Sequence, residues 1–173
     1  IDTPPTADSP YWNAPVSVVS TPTRDVPTDA LPGFLAPVVD WLGSGSHAYK
    51  KVDSLLRGNT FAEIAWLLQQ GEFPGAIFAP AFPAQGSFTF DNRQWVKKAG
   101  EEKQPVAHPL REAFSEFRMT SGSLPENLGR GQDVWIPDVF DDNDLDRIAS
   151  LFGTQGKKQC LWCGSAGLAH AIA

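Results

Sequence analysis

Side chains able to do chemistry crowd into one short stretch, YKKVDSLLRGN at residues 49–59, where Lys50, Lys51, Asp53, Ser54, Arg57 and Asn59 stand within ten residues. The planar guanidinium of Arg57 suits a carboxylate or a phosphate, which it can grip with two donors. Asp53, Ser54 and Asn59 can bind hydroxyl groups, and Gly58 permits a close approach of backbone to a ligand. A second stretch, CGSAGLAHA at residues 163–171, puts Gly164, Ser165 and Gly167 at the start of a predicted helix, where unpaired N–H groups and the helix dipole favour an anion. Each feature also has a structural reading: Asp53 or Asn59 as helix caps, Arg57 paired with a surface acid, a glycine turn that serves only to enter a helix.

Regular elements must hold these stretches, and the hydrophobic pattern supplies them. Short apolar runs predict strands at VSVVS (16–20), HAYKKV (47–52), GAIFA (75–79), DVWI (133–136) and residues 158–163. Helical periods predict helices over 27–43, weakened by Pro32, Gly33 and Pro37, over 60–70, over 142–152 and from Ser165 onward. The helix at 60–70 is the clearest: Phe61, Ile64, Ala65 and Leu68 share one face, Thr60 and Glu63 match a capping box, and Gly71 supplies the stop. Residues 80–131 show no clear period beyond short candidates at QWV and PLREAFSEF, and residues 1–14 read as an extended arm or a truncated remnant. Strands alternating with helices of this length imply a three-layer α/β domain over residues 15–173 with a mainly parallel central sheet. In such a sheet ligands bind beyond the carboxyl ends of the strands. The loops at 53–59, 80–86, 137–144 and 164–167 are therefore expected to share one edge.

Composition narrows the function. A formal charge of −6 and a pI near 4.9 argue against a nucleic-acid partner, which needs clustered Lys and Arg. No apolar run approaches the roughly 20 residues of a membrane helix, and no signal-like leader opens the sequence. A soluble, cytoplasmic protein without a membrane partner is expected. The first residue is Ile1 rather than Met, which suggests a chain cut from something longer. Cys160 and Cys163 lie along one predicted strand, where three positions span about 10 Å and turn the side chains to opposite faces, so packed thiols are expected rather than a redox pair. His47, His108 and His170 are scattered, and no metal site is expected. In DDNDLD (141–146), Arg147 stands where a calcium loop needs glycine and Gly153 where it needs glutamate. That run reads as a solvated helix start.

Three segments carry a family resemblance. KKVDSLLRGN resembles the KK-D-S-T-L-R-G-N signature of the four-carbon acid sugar kinases, formerly a domain of unknown function. APAFPAQG resembles that family's aPAFP--GR segment, and LWCGSAGLAHAIA its --GSAGLA-A-A segment; order and spacing fit over about residues 16–173. The resemblance implies the N-terminal, acid-sugar-binding domain of a kinase that moves the ATP γ-phosphate to a terminal hydroxyl of threonate, erythronate or 3-oxo-tetronate. It implies ATP and Mg²⁺ as cofactors of the intact enzyme, held by a C-terminal nucleotide-binding domain that this chain does not contain. Carried over by motif, Lys51, Asp53, Ser54, Arg57, Gly58 and Asn59 would line the sugar-acid pocket. Pro80, Phe82, Pro83 and Gly86 would shape its wall, and Gly164, Ser165 and Gly167 would close it. No catalytic base is assigned. The chain departs from the pattern at Ser87, where the family has arginine, at Leu55, where it has threonine, and in lacking the opening DD-TGA strand. Those departures keep a second reading open, a non-catalytic ligand-binding or protein-interaction module on the same fold.

Overall fold

GAIFA is apolar at every position, and in the computed structural model it is buried at every position as strand β2 (Gly75–Ala79). The structure describes residues 14–106, 108–122, 133–151 and 160–173, with residues 4, 6, 8 and 9 besides. Most of the expected arm at 1–14, and the strand start at 158–159, lie outside the described residues. β2 is the middle strand of a five-stranded sheet, flanked by β8 (Leu161–Gly164) and β7 (Asp133–Trp135), with β1 (Tyr49–Lys51) and β6 (Thr120–Gly122) at the edges. Every pairing in this sheet is parallel, as alternating strands and helices require.

Side-chain alternation along the strands divides the core into two layers. Ala76, Phe78, Leu161 and Cys163 pack beneath α1 (Leu31–Ser44), α2 (Thr60–Gln69) and α3 (Leu110–Ser115), while Ile77, Ala79, Cys160 and Trp162 pack beneath α4 (Asp142–Ala149) and α5 (Ala166–Ile172). Helices on both faces of a parallel sheet make the three-layer α/β fold. The two cysteines lie in opposite layers, as strand parity dictates, and both are buried thiols. Burial pushes the Cys160 thiol up to about 11 and raises that of Cys163 as well, so both stay protonated and unreactive at neutral pH.

The region without a clear period, 80–131, holds a second, antiparallel sheet of β3 (Ser87–Phe90), β4 (Arg93–Val96) and β5 (Gln104–Pro105). Its tight turn is made by Asp91 and Asn92, both in the left-handed region, the backbone that a two-residue hairpin demands. The buried side of this sheet carries Ser87, Thr89 and Gln94. Thr89 donates to Oε1 of Gln94 at 2.6 Å, and Nε2 of Gln94 donates to the Ser54 carbonyl at 2.8 Å. The small sheet therefore fixes the loop after β1.

Two local expectations fail. Residues 16–20 are not strand; they alternate in burial, with Val16 and Val18 79% and 70% exposed. The capping box expected at Thr60 and Glu63 is also absent: Asn59 occupies the cap position with no capping bond from its side chain, and the Glu63 carboxylate is drawn instead into an ion pair with Lys50. A capping box does form at α4, between Asp141 and Asp144, so DDNDLD is a helix start. Among the described residues, no helix is long and apolar enough to cross a membrane.

Candidate functional site

Three of the four strand-end loops meet at one edge of the sheet. Val52, Asp53, Ser54 and Arg57 from the loop after β1, Phe82 and Gln85 from the loop after β2, and Ser165 and Ala166 after β8 line a cleft of about 320 Å³, together with Arg24 and Lys51. Arg57 and Ser165 thus share an edge. The fourth loop, 137–144, does not line the cleft; its backbone extends the small sheet, with the Val139 N–H donating to the Thr89 carbonyl at 2.6 Å and the Val139 carbonyl accepting the Thr89 N–H at 3.0 Å.

Asp53 organises the cleft's charge. One carboxylate oxygen, Oδ2, accepts from Nε and Nη2 of Arg57 at 2.9 and 2.7 Å and from Nη2 of Arg24 at 2.8 Å. The other, Oδ1, accepts the Leu55 N–H at 2.8 Å. The Asp53 side chain is only 7% exposed, whereas those of Arg24 and Arg57 are 55% and 64% exposed. Burial works to raise the Asp53 pKa, but hydrogen bonds from Arg57 and Leu55 and the charges of both arginines hold it below the usual carboxylate range. Lys51 donates to the Val52 carbonyl at 2.8 Å. Burial lowers its pKa, with Asp53 opposing. Three cations face the cleft against one carboxylate whose acceptors are already engaged, so the cleft attracts anions.

Behind Asp53 lies a smaller cleft of about 150 Å³, lined among others by Thr21, Thr23, Asn59 and Glu63; Arg24, Asp53 and Arg57 form the wall between the two. The turn after β8 is tightly built. Ser165 is 1% exposed, and its hydroxyl donates to the Ala81 carbonyl at 2.7 Å and accepts the Gly167 N–H at 3.0 Å. A Cβ on Gly164 would stand 2.6 Å from Cδ2 of Leu168 and 2.7 Å from the Tyr49 hydroxyl, so only glycine lets α5 approach β1 this closely.

The model of the sugar-binding N-terminal domain matches residues 5–130. The chain belongs to this sugar-binding family. It is 26% identical to a D-threonate kinase of Salmonella typhimurium over 96% of its length, and 31% identical to a D-threonate kinase of Bordetella bronchiseptica over the same share. It spans 45% of each of those relatives. Among solved structures, a DUF1537 protein of Bordetella bronchiseptica, crystallised with bound citrate as a domain-swapped dimer, superposes with a TM-score of 0.69 at 23% identity, over 89% of this chain and 43% of that one. A Haemophilus influenzae protein of the same family gives 0.68 at 18% identity, over 90% and 45%.

Within this sugar-binding domain, Lys51, Asp53, Ser54 and Arg57 come together in the larger cleft, as does Ser165. Asn59 borders only the smaller one. Pro83 begins a short 3-10 turn and Gly86 ends it, while the neighbouring Phe82 and Gln85 face the cleft. Gly58, Gly164 and Gly167 are not among the cleft-lining residues. Sequence reasoning missed Gln85 and Arg24. Arg24 carried a usable signal, a cation between an apolar run and a helix start, the same pattern that marked Arg57. Among the described residues, no group of three His, Cys, Asp or Glu side chains could hold a metal ion.

Proposed function

We propose that residues 15–173 are the acid-sugar-binding part of an ATP-dependent cytoplasmic kinase that phosphorylates a four-carbon sugar acid at its terminal hydroxyl. D-threonate is the first candidate, because the curated relatives carry that name, with erythronate and 3-oxo-tetronate next. The observation that carries the reading is the cationic cleft: Arg24, Arg57 and Lys51 surround Asp53, and the exposed outer edges of the two guanidiniums are free to take a carboxylate. Ser54 and Gln85 offer hydroxyl partners from the adjoining loops. ATP and Mg²⁺ would be held by a C-terminal nucleotide-binding domain and would supply the phosphoryl group. The residues of this chain bind and orient the acid.

A second reading, a ligand-binding or interaction module without catalysis, is favoured by Ser87. It stands where the family resemblance calls for arginine, is 1% exposed, and spends its hydroxyl on the Phe82 N–H at 2.8 Å, so no cation reaches the cleft from this position.

Calorimetric titration of the chain with D-threonate and D-erythronate tests the proposal. Saturable binding is expected, weakened at least about tenfold per folded molecule by Arg57→Ala, whereas unchanged affinity with a lower melting temperature would mark Arg57 as structural. Failure to bind any four-carbon acid would sink the sugar-acid reading. The isolated chain should show no ATP turnover; phosphorylation of D-threonate by it would overturn the assignment of nucleotide chemistry to another domain.

A further inference from the structure

Asn59 directly precedes α2, where an asparagine ordinarily caps the helix through its side-chain oxygen. It makes no capping bond. Its amide Nδ2 instead donates to the Thr23 carbonyl and to the Val26 carbonyl, both at 2.8 Å. Those two carbonyls stand on either side of Arg24. Gly58, at φ +79°, closes on the same residue: a Cβ there would lie 2.7 Å from Cγ of Arg24, 2.8 Å from its carbonyl oxygen and 3.2 Å from its Cα. The Arg24 guanidinium is more than half exposed and donates to Asp53 at 2.8 Å. A cap forgone and a left-handed turn thus converge on one cation, and such local sacrifices mark places where position matters more than local stability.

We propose that Asn59 and Gly58 are positioning residues, a latch that holds residues 21–26 against the start of α2 and thereby sets where the Arg24 guanidinium meets Asp53 and the cleft. Neither residue touches the ligand in this arrangement. The latch acts through Arg24, and its effect on binding rests on the sugar-acid reading above.

Two variants separate latch from cap. Asn59→Ala loses both bonds. Asn59→Asp keeps the size of the side chain and can cap α2, but it cannot donate to the two carbonyls and sets a carboxylate against them. In the full chain, amide hydrogen exchange of residues 21–26 should accelerate at least about tenfold in both variants. Unchanged exchange in Asn59→Asp overturns the latch, whatever the ligand. D-threonate binding should weaken about tenfold in each variant and in Gly58→Ala, yet within an Arg24→Ala background the further change should stay within about twofold. Additive losses would show that Asn59 acts independently of Arg24 and would also overturn the proposal. If the unaltered chain fails to bind D-threonate, the sugar-acid reading falls and the exchange measurement alone decides the latch.

Discussion

Replacing Ser165 by alanine should destabilise the domain while sparing its ligand affinity, because this hydroxyl is spent on the fold. Its oxygen caps α5 by accepting the Gly167 N–H at 3.0 Å, and its proton goes to the Ala81 carbonyl at 2.7 Å. Loss of an N-cap costs about 1 kcal/mol. The Ala81 residue is fully buried, so water cannot replace the lost donor, and a stranded buried acceptor costs about 1–3 kcal/mol. The two losses share one site, which puts the total at about 2–3 kcal/mol. For a domain of this size that lowers the melting temperature by roughly 5–10 °C. The bond from the Tyr49 hydroxyl to the Ser165 carbonyl, 2.7 Å long, uses backbone and survives the substitution, so β1 stays tied to the turn. Thermal and urea unfolding of Ser165→Ala, with D-threonate titration of the folded fraction, checks the reasoning. A melting temperature within about 2 °C of the unaltered chain, paired with lost affinity, would refute it and return the hydroxyl to the ligand.

Asp53 should shape the acid limb of stability. Its folded-state pKa is depressed, so its contribution is present above the unfolded value near 3.9 and is lost as pH falls through the lower folded value; Asp53→Asn should flatten the limb in urea unfolding over about pH 5 to 2, and an unaltered limb would show that the arginine clamp does not stabilise the fold. Glu63→Gln strands the Lys50 ammonium, whose side chain is 18% exposed, and should cost about 2–4 kcal/mol, with most of it restored when Lys50→Met is added. Equal and additive losses in that double variant would exclude a coupled pair.

The elements legible in the sequence were those whose pattern and burial coincide. β2 and β8 read as short apolar runs because parallel strands covered on both faces have no polar side to show. The Cys160–Cys163 spacing gave opposite faces by parity alone. β6, by contrast, is Thr-Ser-Gly, a strand only because β7 lies beside it. The hairpin of β3 and β4 hid because its turn is Asp-Asn rather than a glycine pair, and because its buried side carries Ser87, Thr89 and Gln94.

The candidate site was legible in location and less so in roles. Residues of the same type serve two masters at a strand end, the ligand and the loop's own backbone, and composition cannot tell these apart. Hydrogen-bond accounting can. Asp53 has given its acceptors to two arginines and the Leu55 N–H, Asn59 has given its donors to Thr23 and Val26, and Ser165 has given its hydroxyl to Ala81 and Gly167. The residues chosen as hydroxyl binders are largely spent on holding cations in place, while Arg24, Arg57 and Lys51 keep their charge turned to the cleft. The cleft therefore presents charge suited to an anion, with Ser54 and Gln85 as further polar side chains along its lining.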